Sequence, residues 1–219
     1  MSEFHFERQG LLCVVSGPSG SGKTTLCRRF SESDEGASYA ISATTRQPRG
    51  GEVDRRDYYF LEREDFEARA TRGEFLEFAE VHGNFYGTLK SEVISRIQAG
   101  NDVLMDIDVQ GANLVRSQDD PMITGSLVDI FILPPSDEEL VARLSNRGTE
   151  TPEQLQLRLN NAREEMRHWP DYSYTIISGE REVDFSRFSS IIEGERCRSS
   201  RYRDKGTIDE AHPELDFGA

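Results

Sequence analysis

Gly17-Pro18-Ser19-Gly20-Ser21-Gly22-Lys23-Thr24 follows the apolar run Leu11-Leu12-Cys13-Val14-Val15 and leads into Thr25-Leu26-Cys27-Arg28-Arg29-Phe30. That order predicts a strand, a glycine-rich loop and a helix, and the spacing fits G-x-x-x-x-G-K-[ST]. In such a loop backbone N–H groups wrap phosphate oxygens, the lysine reaches the outer phosphates and the hydroxyl holds Mg²⁺. An ordinary glycine turn requires neither the Lys nor the Thr. The stretch therefore predicts a nucleoside triphosphate site built from Gly17, Pro18, Ser19, Gly20, Ser21, Gly22, Lys23, Thr24 and Thr25.

Working outward, Ser38-Tyr39-Ala40-Ile41-Ser42 alternates enough for a second strand, and Thr44-Thr45-Arg46-Gln47-Pro48-Arg49-Gly50-Gly51 reads as an exposed basic loop. Asp57-Tyr58-Tyr59-Phe60-Leu61, Glu74-Phe75-Leu76-Glu77-Phe78-Ala79-Glu80-Val81 and Asn84-Phe85-Tyr86-Gly87 read as aromatic-rich strands, with a helix over 63–72. Together they suggest a small mixed α+β subdomain inserted into an α/β core. A helix over 89–98 precedes Val103-Leu104-Met105-Asp106-Ile107-Asp108, a buried strand whose acids lie at its C-terminal end, the edge where open parallel sheets collect ligands.

A helix over 109–117 and the apolar strand Leu127-Val128-Asp129-Ile130-Phe131-Ile132-Leu133 follow. The next helix is N-capped by Ser136 and stopped at Gly148. A long helix over 151–168, the strand Tyr174-Thr175-Ile176-Ile177 and a final helix over 185–200 complete the pattern. About four or five βα units starting from a phosphate loop predict a parallel sheet covered by helices on both faces.

The 219 residues suffice for one α/β domain with insertions, and a 36% hydrophobic content for a sizeable core. A formal net charge of −14 argues against a non-specific nucleic-acid or anionic-membrane binder, both of which need a positive field. An anionic ligand must then meet a local basic pocket. Cys13, Cys27 and Cys197 are odd in number and widely spaced, as expected of reduced thiols in a cytoplasmic protein. No apolar run approaches the roughly 20 residues that span a bilayer, and the first residues lack a signal peptide's apolar stretch. The polar, acidic tail over 201–219 is expected to be mobile.

Three constellations carry candidate chemistry. Thr24 with Asp106 offers a hydroxyl ligand for Mg²⁺ and a strand-end carboxylate that can reach the ion through water; Mg²⁺ prefers few protein ligands. Arg46, Arg49, Arg147 and Arg158 lie in or beside loops and helix starts, and guanidinium forks suit phosphate oxygens. A lone surface Arg is usually only solvated, yet Arg46 and Arg49 cluster with Pro48 and Gly50 in an acidic chain. Glu77 lies on an aromatic strand, followed by Tyr86 and Thr88, and spacing alone leaves open whether it faces solvent or a ligand.

Gly17 to Thr24, Ser42-Ala43-Thr44-Thr45-Arg46-Gln47-Pro48-Arg49-Gly50-Gly51-Glu52, Asp57-Tyr58-Tyr59-Phe60, Gly83-Asn84-Phe85-Tyr86-Gly87-Thr88, Asp106-Ile107-Asp108-Val109-Gln110-Gly111 and Arg147-Gly148-Thr149-Glu150 resemble guanylate kinase, in order, over roughly residues 10–200. The resemblance implies a P-loop α/β core over 10–42, 89–145 and 159–200, a GMP-binding subdomain over 43–88 and a helical lid over 146–158. It implies transfer of the γ-phosphoryl of Mg·ATP to GMP, with Mg²⁺ as cofactor and neither nucleic acid nor membrane as partner.

By the same resemblance Lys23, Arg46, Arg147 and Arg158 would act on the transferring group. Arg46, Arg49, Tyr58 and Tyr86 would hold the GMP phosphate, while Ser42, Glu77, Thr88 and Asp106 would surround guanine. Guanine's N1–H and N2–H₂ donors match a carboxylate such as Glu77, a pattern adenine reverses. Whether Asp106 or Asp108 serves Mg²⁺ is left open. One departure is Ser178-Gly179-Glu180, where the family usually has Asn-Asp near adenine; the adenine contacts are therefore not carried over. The alternatives are a non-catalytic phosphopeptide-binding module of the same fold, disfavoured by Lys23 and Thr24, and a P-loop kinase for another monophosphate, disfavoured by Ser42 and Glu77.

Overall fold

The computed structural model describes residues 4–145 and 152–207. β1 (Phe4–Arg8) leads to β2 (Leu12–Ser16), which is buried throughout. Leu11, Cys13 and Val15 join one hydrophobic cluster while Leu12 and Val14 join another, the signature of a central strand covered on both faces. The chain continues through α1 (Lys23–Ser33), β3 (Ala37–Tyr39), β4 (Ala43–Thr44), β5 (Tyr59–Phe60), α2 (Arg63–Thr71), β6 (Phe75–Val81) and β7 (Asn84–Leu89). Next come α3 (Lys90–Gln98), β8 (Asp102–Asp106), α4 (Val109–Arg116), α5 (Pro121–Ser126), β9 (Leu127–Leu133) and α6 (Asp137–Ser145). Last are α7 (Pro152–Met166), β10 (Tyr174–Ile177), α8 (Arg181–Arg196) and β11 (Tyr202–Thr207).

Five strands form a parallel sheet in the order β10-β9-β2-β8-β3. α1 and α8 cover one face through Leu26, Cys27, Phe30, Phe188 and Ile192; α3, α4 and α5 cover the other through Val93, Ile97, Ala112, Val115 and Ile123. This is the P-loop α/β architecture expected from the sequence. The chain fills one side of β2 with β3 and β8 and then crosses to the other with β9 and β10, and an open parallel sheet binds ligands at such a reversal. Register sets Val15 of β2 beside Asp106 of β8, so the glycine loop and that carboxylate leave the same edge of the sheet.

Between β3 and α3 a second, mixed sheet has the order β5-β4-β7-β6. α2 closes its apolar face: the Phe66 ring stacks on Phe75 at 4.2 Å and on Phe85 at 5.3 Å between centroids. His82 and Gly83, at φ 51° and 78°, form the two-residue turn joining β6 to β7. Positive φ at both central residues gives that turn the twist a hairpin needs.

Several elements differ from the sequence expectation, each for a local reason. The second strand stops at Tyr39: the Ala40 N–H makes a last bond to Leu104 O at 2.8 Å, and the chain then crosses to the mixed sheet as β4. Only Tyr59 and Phe60 of the stretch at 57–61 pair as a strand, because the exposed Asp57 turns back on its own loop, its carboxylate accepting the Val53 N–H at 2.8 Å. Helix α5, not anticipated, has a legible start in the Asp120 side chain, which caps Met122 N–H at 2.8 Å, and in Pro121 in the first turn. The tail expected to be mobile from 201 instead begins with β11, antiparallel to β1, which the sequence reading also missed. Strands of a two-stranded ribbon far apart in sequence leave no local signal. α8 starts four residues before the expected 185 and ends at Arg196. Arg147, and residues 146–151 of the expected lid, lie outside the described residues.

Candidate active site

Three glycines of the loop, Gly17, Gly20 and Gly22, have φ of 144°, 82° and 95°. At Gly17 a side chain is doubly excluded, since a Cβ would lie 2.3 Å from Ile132 O. These conformations turn successive amides inward above the start of α1, where the helix dipole favours an anion. Ser21 Oγ is buried in the loop with no hydrogen-bond partner, an orphan polar atom that a phosphate oxygen would satisfy. Lys23 folds back over the loop, its Nζ donating to Gly17 O at 2.6 Å and Pro18 O at 3.1 Å. Burial lowers the Lys23 pKa, while the nearby Glu165 and Asp106 carboxylates partly restore it.

Thr24 Oγ1 donates to Asp106 Oδ2, and the Tyr39 hydroxyl donates to Asp106 Oδ1. Burial raises the Asp106 pKa against the opposing pull of Thr24 and Lys23. The pair joins two cavities, because Thr24 lines both. One, of about 630 Å³, runs from Gly20 through Thr25 to Arg143, Ser178 and Asp184. The other, of about 810 Å³, runs from Thr24 and Asp106 across to Ser42, Tyr58, Glu77 and Tyr86 on the mixed sheet. Side-chain oxygens of Thr24 and Asp106 are the hard ligands Mg²⁺ takes, and among the described residues no cluster of three or more His, Cys, Asp or Glu side chains offers another metal site.

Glu77 is half-buried and faces Thr88 across the β6–β7 hairpin. Burial raises its pKa; Thr88 opposes the shift and the Asp108 charge adds to it. The Thr88 hydroxyl is buried beside Glu77, and its hydrogen bond to that carboxylate is the pull that opposes the shift. The tyrosine rings of Tyr58 and Tyr86 meet edge to face with centroids 6.3 Å apart, and the Arg46 guanidinium lies 5.4 Å over Tyr58. Ser42, Tyr58, Glu77, Tyr86 and Asp106 thus converge on one cavity.

The other expected residues are less simply placed. Arg46 sits at its margin, paired with Glu52. Arg49 is exposed and tied through its backbone alone, its N–H donating to the Glu52 carboxylate and its C=O accepting the Glu52 N–H at 3.1 Å. Arg158 on α7 reaches the loop by donating from Nη2 to Ser19 Oγ at 2.9 Å.

Tyr39, Arg28, Glu52 and Arg143 were not among the expected site residues. Arg28 follows Thr24 by four residues, one helical turn, so helix periodicity could have placed it on the cavity side. Tyr39 gave no local signal; it reaches Asp106 only because β3 and β8 are neighbours. On the other side, Arg143 Nη1 donates to Ser178 Oγ at 2.8 Å, and the Asp184 carboxylate accepts the Gly179 N–H at 2.9 Å. The segment that departs from the expected Asn-Asp is therefore held by a carboxylate from the first turn of α8 and by a cation from α6.

The guanylate kinase family profile matches residues 9–195. A guanylate kinase of Clostridium perfringens (strain 13 / Type A) is 41% identical over 218 residues, 98% of this chain and 99% of that protein. One of Ruegeria pomeroyi is 43% identical over 192 residues, 88% of this chain and 89% of that protein. The crystal structure of guanylate kinase from Anaplasma phagocytophilum is similar with a TM-score of 0.66 and 33% identity, covering 92% of this chain and 93% of that one. With a phosphate loop on β2, an inserted mixed sheet and two cavities meeting at Thr24, the chain belongs to the guanylate kinase family.

Proposed function

We propose that this chain transfers the γ-phosphoryl group of Mg·ATP to GMP, with the triphosphate on the glycine loop and GMP in the larger cavity. The observation that carries this reading is the meeting of two cavities at Thr24, which bonds Asp106: one is walled by the loop and the other by Asp106, Glu77, Ser42, Tyr58 and Tyr86. Phosphoryl transfer asks little covalent chemistry of a protein; it asks for alignment and for positive charge where negative charge spreads. Lys23, seated on the loop, supplies charge to the transferring group, and Arg158, already tied to Ser19, supplies more from α7. Arg147 is assigned to the same task from the family resemblance alone. Thr24, with Asp106 through water, would hold Mg²⁺, which when bound screens the phosphate charges.

On the acceptor side, Arg46, Arg49, Tyr58 and Tyr86 take the GMP phosphate. Glu77 as carboxylate accepts from the guanine N1–H and N2–H₂ edge, and Ser42 in the same cavity and the Thr88 hydroxyl beside Glu77 complete the ring of partners. AMP presents the opposite pattern and would leave Glu77 unpaired, which supports discrimination of about 10⁴ or more. The cytoplasm is the assigned compartment: the cysteines are free, Cys13 and Cys27 buried, and among the described residues no helix is long and apolar enough to cross a membrane. A panel of nucleoside monophosphates with ATP and Mg²⁺, read by ADP release, tests the assignment. GMP is expected to turn over far faster than AMP, CMP or UMP; preference for another monophosphate would sink it.

A further inference from the structure

Glu52 lies on the loop between β4 and β5 and lines the larger cavity. Its carboxylate accepts a parallel pair of bonds from Arg46, Nη2 to Oε1 at 2.9 Å and Nη1 to Oε2 at 3.0 Å. Oε2 also accepts the Arg49 N–H at 2.7 Å, and Arg46 Nη1 donates to Gln47 O at 2.8 Å. A guanidinium has five N–H donors in a fixed plane. These contacts occupy both hydrogens on Nη1 and one on Nη2, so the edge formed by Nε–H and the second Nη2–H is the one left to turn toward Tyr86, whose hydroxyl also bonds Arg46. Arg46 is held over the rings of Tyr58, at 5.4 Å, and Phe60, at 5.9 Å, and its side chain is only 14% exposed. One edge of the fork is thus clamped, and the plane is fixed by aromatic contact.

We infer that Glu52 is a positioning residue for the acceptor phosphate: it grips Arg46 by one edge so that the other meets the phosphate beside Tyr58 and Tyr86. The inference rests on the reading of Arg46 as a phosphate contact. A carboxylate here has two effects of opposite sign. As a charge it repels a phosphate dianion, and its loss would tighten GMP binding. As a clamp it removes the rotamer freedom of a long side chain, and its loss would weaken GMP binding. The parallel pair of bonds, with the Arg49 amide on the same oxygen, makes the clamp the larger effect. The direction of the change therefore separates the two.

The test is calorimetric titration of GMP, and of guanosine, which lacks the phosphate, into wild type, E52A, E52Q, R46A and the double variant R46A/E52A. E52A is expected to weaken GMP about tenfold. E52Q should weaken it less, since one carboxamide oxygen still accepts an N–H. Guanosine affinity should stay within about twofold of wild type, and E52A should add nothing to R46A, as coupled residues do. GMP affinity unchanged or tighter in E52A, with R46A still defective, would overturn the positioning role and leave the phosphate reading intact. Full GMP affinity in R46A would overturn both. Equal losses of GMP and guanosine in E52A would mark a collapsed loop and overturn the inference as well; if E52A does not fold, E52Q carries the same comparisons.

Discussion

At the scale of single residues, the site depends on charges kept where water is scarce. Lys23 is bound to the carbonyls of its own loop. Lys23→Ala is expected to lower kcat by at least about 10²-fold, because it removes a donor from the transferring phosphoryl; steady-state assays at saturating ATP and GMP read this directly. Glu77 has its pKa raised by burial, yet GMP needs it as carboxylate. GMP binding is therefore full above that raised value and falls as pH drops through it, at a higher pH than an exposed glutamate would show. The pH profile of kcat/KM for GMP should show this acid limb, and Glu77→Gln should flatten it while raising the GMP KM more than the ATP KM. The loop residues were legible because a phosphate cradle dictates local spacing. Glu77 was not, since a strand position alone does not say which face is covered; β7 and its Thr88 decide that.

At the scale of elements, the acceptor half stands on a small core. Phe66 of α2 is 1% exposed and stacks between Phe75 and Phe85, with Ala43 and Leu89 closing the cluster. Phe66→Ala is expected to destabilise the protein by about 3–5 kcal/mol, read by urea unfolding. Because this core backs β6 and β7, the variant should raise the GMP KM more than the ATP KM. Turnover in which both constants move equally would place the damage in the parallel sheet. The aromatic alternation announced the hairpin, and its turn at His82-Gly83 lies where two strand patterns meet. The ribbon of β1 and β11 was invisible, as its partners are separated by most of the chain.

At the scale of the whole molecule, an ionic network ties the other end of the sheet together. Asp102, 1% exposed at the start of β8, accepts from Leu11 N–H at 2.9 Å, Arg8 Nη1 at 2.7 Å and Arg196 Nε at 2.6 Å. Arg196 of α8 also holds Asp34 after α1 at 2.7 Å. Arg196→Ala leaves a buried carboxylate short of a partner and is expected to cost about 3–5 kcal/mol, measured by urea unfolding. The Arg196 guanidinium lowers the Asp34 pKa, so the smaller stabilisation from the Arg196–Asp34 pair is present above the ordinary aspartate range and is lost as pH falls through the depressed value. Wild type should lose stability in that acid range more steeply than Arg196→Ala. The sequence by itself determined the triphosphate loop, the βα alternation and the family, because spacing and periodicity are local and the chemistry of phosphate binding constrains them tightly. Only the tertiary structure decided that Tyr39 reaches Asp106, that Arg28 and Glu52 line the acceptor cavity and that Glu52 clamps Arg46. Those contacts depend on strand order and on hydrogen bonds between segments whose separation along the chain carries no signal of their proximity.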